Sequence, residues 1–156
     1  MTDIHKTEKD SRLPDIALLA VRAAAGAMLV YFHGWDKIAS AYANVFHGAE
    51  WGFPAFVASI GFPAAKFFAL CAAMAEFFGS LLLVFGFFTR YGAMMMSATM
   101  IVAVYYHARN DGRIELAALY LLVGLLFTFV SPGRYSIDEW ISSRSKSTQE
   151  EVLATR

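Results

Sequence analysis

The sequence predicts an all-α membrane protein: a bundle of four transmembrane helices with a long aromatic outer loop between the first and second. Three observations predict it. Hydrophobic residues make up 58% of the 156-residue chain and charged residues 17%, against about 45–50% and about 25% in a soluble domain. A chain this small has too little interior to hide so much apolar surface from water. The apolar residues also fall into four runs with little polar sequence between them.

The first run, 16–32, is broken once, by Arg22. Pro14 stands near its start, where a missing N–H does no harm. The second, 67–88, is broken only by Glu76; the third, 91–106, and the fourth, 116–130, carry no charge. A spanning helix needs about 20 residues, within a range of about 17–25. The second run meets this outright, and the others gain a turn from their flanks. None shows the period-two alternation of a barrel strand. Pro132 and Gly133 stop the fourth. Ala41–Tyr42–Ala43 resembles a signal cleavage site, but Arg22 interrupts the apolar stretch, and Trp35, Asp36 and Lys37 separate it from that site. The run therefore reads as a span.

The outer loop, 34–66, carries Trp35, Tyr42, Phe46, Trp51, Phe53, Phe56 and Phe62. It is expected to fold onto the outer membrane surface as short amphipathic pieces broken at Pro54 and Pro63. Such a segment serves as an interfacial anchor or as a lid over a lipid-accessible site. Around the membrane domain, 13–141, residues 1–12 read as a polar cytoplasmic tail and 142–156 as a mobile polar tail. Between the fourth span and that tail, Trp140 is placed at headgroup depth. Lys6, Lys9, Arg12, Arg90, Arg134, Arg144, Lys146 and Arg156 fall on one side, against Lys37, Lys66, Arg109 and Arg113 on the other. That bias puts both termini in the cytoplasm.

The balance of thirteen basic and thirteen acidic residues gives no electrostatic reason to expect nucleic acid. The single cysteine, Cys71, excludes an internal disulfide and a thiolate zinc cluster. It reads as a buried packing residue.

Arg22 and Glu76 are the costly residues, at roughly 2.5–3.5 kcal/mol for an ionised group at mid-bilayer. Both should face the bundle interior, and they are expected as a buried charge pair. Ala69, Ala72, Ala73, Gly79 and Ser80 share a face with Glu76 and let a neighbouring helix approach. Counting along the helices puts Arg22 about 10 Å and Glu76 about 18 Å from the inner edge, so a direct pair needs tilt or a bridging water. Snorkelling of Arg22 and a neutral Glu76 acid are the alternatives.

A second cluster gathers at the outer ends. His33, Trp35 and Lys37 follow the first span, and His107 ends the third. Glu115 opens the fourth, where the helix dipole favours its charge. Met100 and Met96 lie below His107 on one stripe and would form a soft apolar wall. Singly, each has a packing or interfacial explanation; their convergence makes them candidate ligand-binding residues. No catalytic residue or metal ligand stands out.

These pieces resemble the DoxX family of small bacterial inner-membrane proteins. The matching residues are Arg22, then His33–Gly34–Trp35–Asp36–Lys37, Gly61–Phe62–Pro63 and Ala75–Glu76–Phe77–Phe78–Gly79. They continue with Gly86–Phe87–Phe88–Thr89–Arg90, His107, Gly112, Glu115–Leu116–Ala117 and Pro132–Gly133–Arg134–Tyr135–Ser136–Ile137–Asp138. Asp36 stands where the pattern often has Gln. The resemblance implies a four-helix inner-membrane protein. Some relatives are subunits of a thiosulfate:quinone oxidoreductase, and others belong to complexes that handle oxidative and thiol stress.

Three functional classes follow. The first is a membrane subunit of a quinone-linked oxidoreductase, with a polar site near the outer ends of helices 1, 3 and 4. There His33, Lys37 and His107 would supply hydrogen bonds, Glu76 or Glu115 would relay protons, and a partner oxidoreductase subunit would supply electrons. The second is a non-catalytic anchor or assembly subunit, in which Arg22 and Glu76 set helix register. The third is a small-solute transporter, which with four spans would need a homo-oligomer. Quinone is the cofactor this reading admits; haem, flavin and metal are not expected.

Overall fold

The computed structural model describes residues 3–110 and 112–154, with side chains from 12–110 and 112–146. Among these residues every regular element is helical. Helix α1 (Asp3–Leu29) runs through a π-turn (Val30–Gly34) into α2 (Trp35–His47), forming one rod. A short α3 (Phe53–Ser59) follows. Then α4 (Ala65–Met74), a second π-turn (Ala75–Gly79) and α5 (Ser80–Phe85) form a second rod. Helices α6 (Thr89–Arg109), α7 (Ile114–Phe129) and α8 (Ile137–Ala154) complete the chain.

The first rod corrects two expectations. The helix does not stop after His33; it continues to His47, so much of the expected outer loop is helical. Nothing in 35–47 breaks a helix, and the rod ends only at Gly48, which takes the left-handed conformation at φ 66°. Pro54 likewise lies in the first turn of α3, where proline is tolerated, and does not break a helix. Helix α1 begins at Asp3, so Pro14 lies inside it and not near its start. The segments read as polar tails are thus helical, from Asp3 and to Ala154. The side chains of Lys6, Lys9 and Arg156 lie outside the described residues.

Arg12–His47 and Ala65–Phe85 are long and apolar enough to cross a membrane; Ile114–Phe129 is apolar and shorter. Leu29, Leu83, Met96, Met100, Tyr120 and Phe127 form the core. Large apolar side chains such as Tyr31, Phe32, Leu122 and Phe129 remain on the outside, a surface that suits hydrocarbon and not water. Helix α6 packs on α7, α1 on α5, and α3 on α4.

The two π-turns touch. A Cβ on Gly34 would come within 3.1 Å of the Phe77 Cα and 3.2 Å of the Glu76 carbonyl oxygen. Only glycine lets the rods meet this closely, and the contact brings the stretch after Gly34 against Glu76.

Candidate ligand site

Glu76 is buried in the second π-turn, and its partner is Lys37. The Lys37 ammonium donates to both carboxylate oxygens, at 2.6 and 2.5 Å. The glutamate side chain is 6% exposed and the lysine side chain 28%. The direct Arg22–Glu76 pair does not form. Helix side chains lean toward their own N-termini, so on antiparallel rods Arg22 and Glu76 lean apart while Lys37 and Glu76 lean together. The unbroken first rod is what places Lys37 opposite Glu76.

Arg22 works elsewhere. It is 1% exposed, and its guanidinium donates to the carbonyls of Leu83 (2.8 Å), Val84 (3.3 Å) and Tyr135 (2.9 Å). Leu83 and Val84 belong to the last turn of α5, whose carbonyls lack helical partners and whose dipole favours a cation. Arg22 therefore caps α5 and ties it to the segment after α7. That segment holds the same end of the bundle in other ways. The Asp138 carboxylate accepts from Phe88 N, Thr89 N and Thr89 Oγ1 at 2.8–2.9 Å, capping α6. The Asp138 amide donates to the Gly86 carbonyl at 2.9 Å.

Beside the Lys37–Glu76 pair opens a cavity of about 720 Å³. Its walls come from α2 through Lys37, from α3 and the chain after it, from the second rod, and from α6. Phe53, Phe56, Phe62, Phe68 and Tyr106 make it aromatic; Met95, Val102 and Ala103 extend the apolar wall; His107 and Thr99 add polar atoms. The ammonium of Lys37 lies 4.9 Å from the Phe53 ring centroid, a cation–π contact. Phe56 closes edge-on against Tyr106 at 4.8 Å. Thus α3 forms one wall of the cavity.

The structure brings together Lys37, Glu76 and His107 from the expected residues and leaves the others out of this wall. His33 packs edge-on against Tyr120 at 6.3 Å. Trp35 is exposed on the rod's outer face, 6.0 Å from Phe77. Met96 and Met100 are buried in the core; their neighbour Met95, about 100° around the helix from Met96, lines the cavity instead. Glu115 is exposed at the first turn of α7. No α7 residue joins the lining, so the cavity lies among α2, α3, the second rod and α6 and does not reach the helix that Glu115 opens. Cys71 is another correction: it is exposed and lines the cavity, so it is not a buried packing residue.

This arrangement can hold an amphipathic molecule. Aromatic and aliphatic walls take its apolar part, while an ion pair and an imidazole meet its polar head.

A family model described as DoxX matches residues 17–109. An uncharacterized protein of Haemophilus influenzae is 31% identical over 119 residues, covering 69% of this chain and 89% of the relative. No solved structure matches.

Proposed function

The chain belongs to the DoxX family, a membrane protein, and from that premise we propose that its cavity binds the head of a lipid quinone and that it serves as the membrane subunit of an oxidoreductase. The observation that carries this reading is a cavity of about 720 Å³ whose walls are mainly aromatic and aliphatic and whose polar groups include Lys37, Glu76 and His107. Ligand pockets run to about 300–1,000 Å³ and are mainly apolar with a few placed polar groups, and a ring with opposed oxygens on an apolar tail fits that description. One oxygen would meet the Lys37–Glu76 pair and the other His107. The chemistry a quinone supplies when bound is the exchange of two electrons and two protons. Glu76 and Lys37 would hold or pass a proton at the ring oxygen, the aromatic walls would exclude water, and a partner subunit would exchange the electrons.

In this reading α1–α2, α4–α5, α6 and α7 all cross the bacterial inner membrane, with both termini in the cytoplasm. Single cysteines introduced at Ser142 and Ala49, in a Cys71→Ser background, should react with an impermeant maleimide from opposite faces of the membrane. Labelling of both from the same face would refute this topology.

Binding is tested with the chain's own cysteine. Cys71 lines the cavity and is exposed, so N-ethylmaleimide should label it in purified protein. A decyl-tailed, fully ring-substituted benzoquinone, or its quinol, should slow that labelling. Lipid extracted from mild-detergent preparations should contain quinone in native protein and not in the Lys37→Met variant. Neither protection nor extracted quinone would reject the reading.

A further inference from the structure

Resting on quinone binding in this cavity, we infer that the site favours the reduced, hydroxyl-bearing ring over the oxidised one. The inference comes from counting donors and acceptors at the buried end. Lys37 has three N–H donors and no acceptor. Glu76 draws donors to both its oxygens, and the ammonium also faces the Phe53 ring. Thr99, also in the wall, has one O–H, which it donates to the Met96 carbonyl at 2.9 Å. These two groups have few hydrogens left to offer a ligand.

Acceptor capacity remains. A carboxylate has about four lone-pair sites, and among the described residues Lys37 alone donates to Glu76, filling two of them. Thr99 Oγ1 keeps its lone pairs as well. A quinone carbonyl set against this end would place acceptor against acceptor. A quinol hydroxyl would donate to the carboxylate, and charge-assisted O–H···O⁻ bonds are among the strongest in proteins. His107 can donate or accept, so it serves the far oxygen in either state. Discrimination therefore falls to Glu76.

The experiment compares a decyl-tailed, fully ring-substituted benzoquinol with its oxidised benzoquinone, both titrated anaerobically against the full-length protein. The readout is protection of Cys71 from N-ethylmaleimide; full ring substitution removes the site at which a thiol would add. The quinol should protect at a concentration about tenfold or more below that of the quinone. Methylating both hydroxyls of the quinol should abolish its advantage, and this arm needs no protein variant. Glu76→Gln should bring the two ligands within about twofold of each other. Equal protection by quinol and quinone, or better protection by the quinone, would overturn this inference while leaving quinone binding intact. An advantage that survives methylation would overturn it too. Protection by neither ligand would reject the proposed function itself, and this inference with it.

Discussion

Lys37 and Glu76 stand 39 residues apart and meet at 2.5–2.6 Å beside an otherwise largely apolar cavity. Each is supplied by a different rod, and each rod carries a π-turn at the contact. A π-turn adds a residue to the helical repeat and is common where a helix serves a site. Here the two turns press Gly34 against Glu76 and set the stagger that lets lysine and carboxylate converge. The ion pair thus results from packing of the rods and also forms the polar end of the cavity.

Breaking this pair should cost more than removing it. Lys37→Met leaves a buried carboxylate without its donor, and Glu76→Leu leaves a cation without its counter-charge; each should lower stability by about 3–5 kcal/mol. Replacing both with apolar residues, Lys37→Met with Glu76→Leu, should restore most of that loss. Ligand protection of Cys71 should vanish in all three. A double-mutant cycle of denaturant unfolding in detergent gives the coupling; additive single effects would show that the pair contributes nothing beyond its parts.

Two glycines with nearly the same backbone should respond differently to alanine. Gly48 and Gly86 have φ of 66° and 67°, and the left-handed conformation costs an L-residue about 1–2 kcal/mol. A Cβ at Gly48 meets nothing within 4 Å, whereas at Gly86 it would collide with the Arg22 guanidinium and come within 2.7 Å of the Ser136 Cβ. Gly48→Ala should therefore cost about 1 kcal/mol and Gly86→Ala at least about 2 kcal/mol more, because the clash displaces the α5 cap. Equal losses in thermal unfolding would contradict this placement of Arg22.

The all-helical fold was legible in hydropathy alone, because burial in hydrocarbon demands long apolar runs whatever their neighbours do. That Arg22 and Glu76 turn inward was legible for the same reason. Their partners were not. A first helix that ends near His33 leaves Lys37 in the outer loop and Arg22 as the one buried cation to set against Glu76; the unbroken rod to His47 carries Lys37 to that carboxylate instead. The carbonyls that hold Arg22 are main-chain atoms, and no side-chain pattern reports them. Helical phase was the other limit. The methionine stripe is legible in the sequence, but a single step around the helix separates Met95 in the cavity from Met96 in the core.

The end of the bundle held by Arg22 should loosen as a unit. Arg22→Lys keeps the charge but replaces a planar fork with a point donor, so it cannot span Leu83 and Tyr135 together. Asp138→Ala removes the α6 cap, with a loss of about 0.5–2 kcal/mol. Both variants should speed protease cleavage between residues 131 and 138 while leaving ligand protection of Cys71 within about twofold, since neither residue touches the cavity. Unchanged cleavage in Arg22→Lys would mean that its bond to Tyr135 does not restrain the segment.

Filling the cavity should separate binding from folding. Ala98 is exposed and lines the cavity, whereas Ala93, on the same helix, is fully buried in the core. A phenyl ring at Ala98 enters open volume, so Ala98→Phe should keep stability within about 0.5 kcal/mol of the native protein and abolish extraction of bound quinone. The same ring at Ala93 has no space and must force the helices apart, which costs about 1–3 kcal/mol or more. Comparing the two keeps the substitution constant and changes only what surrounds it. If Ala98→Phe still retained quinone at the native level, the ligand would have to lie outside the cavity walled by Lys37, Glu76 and His107.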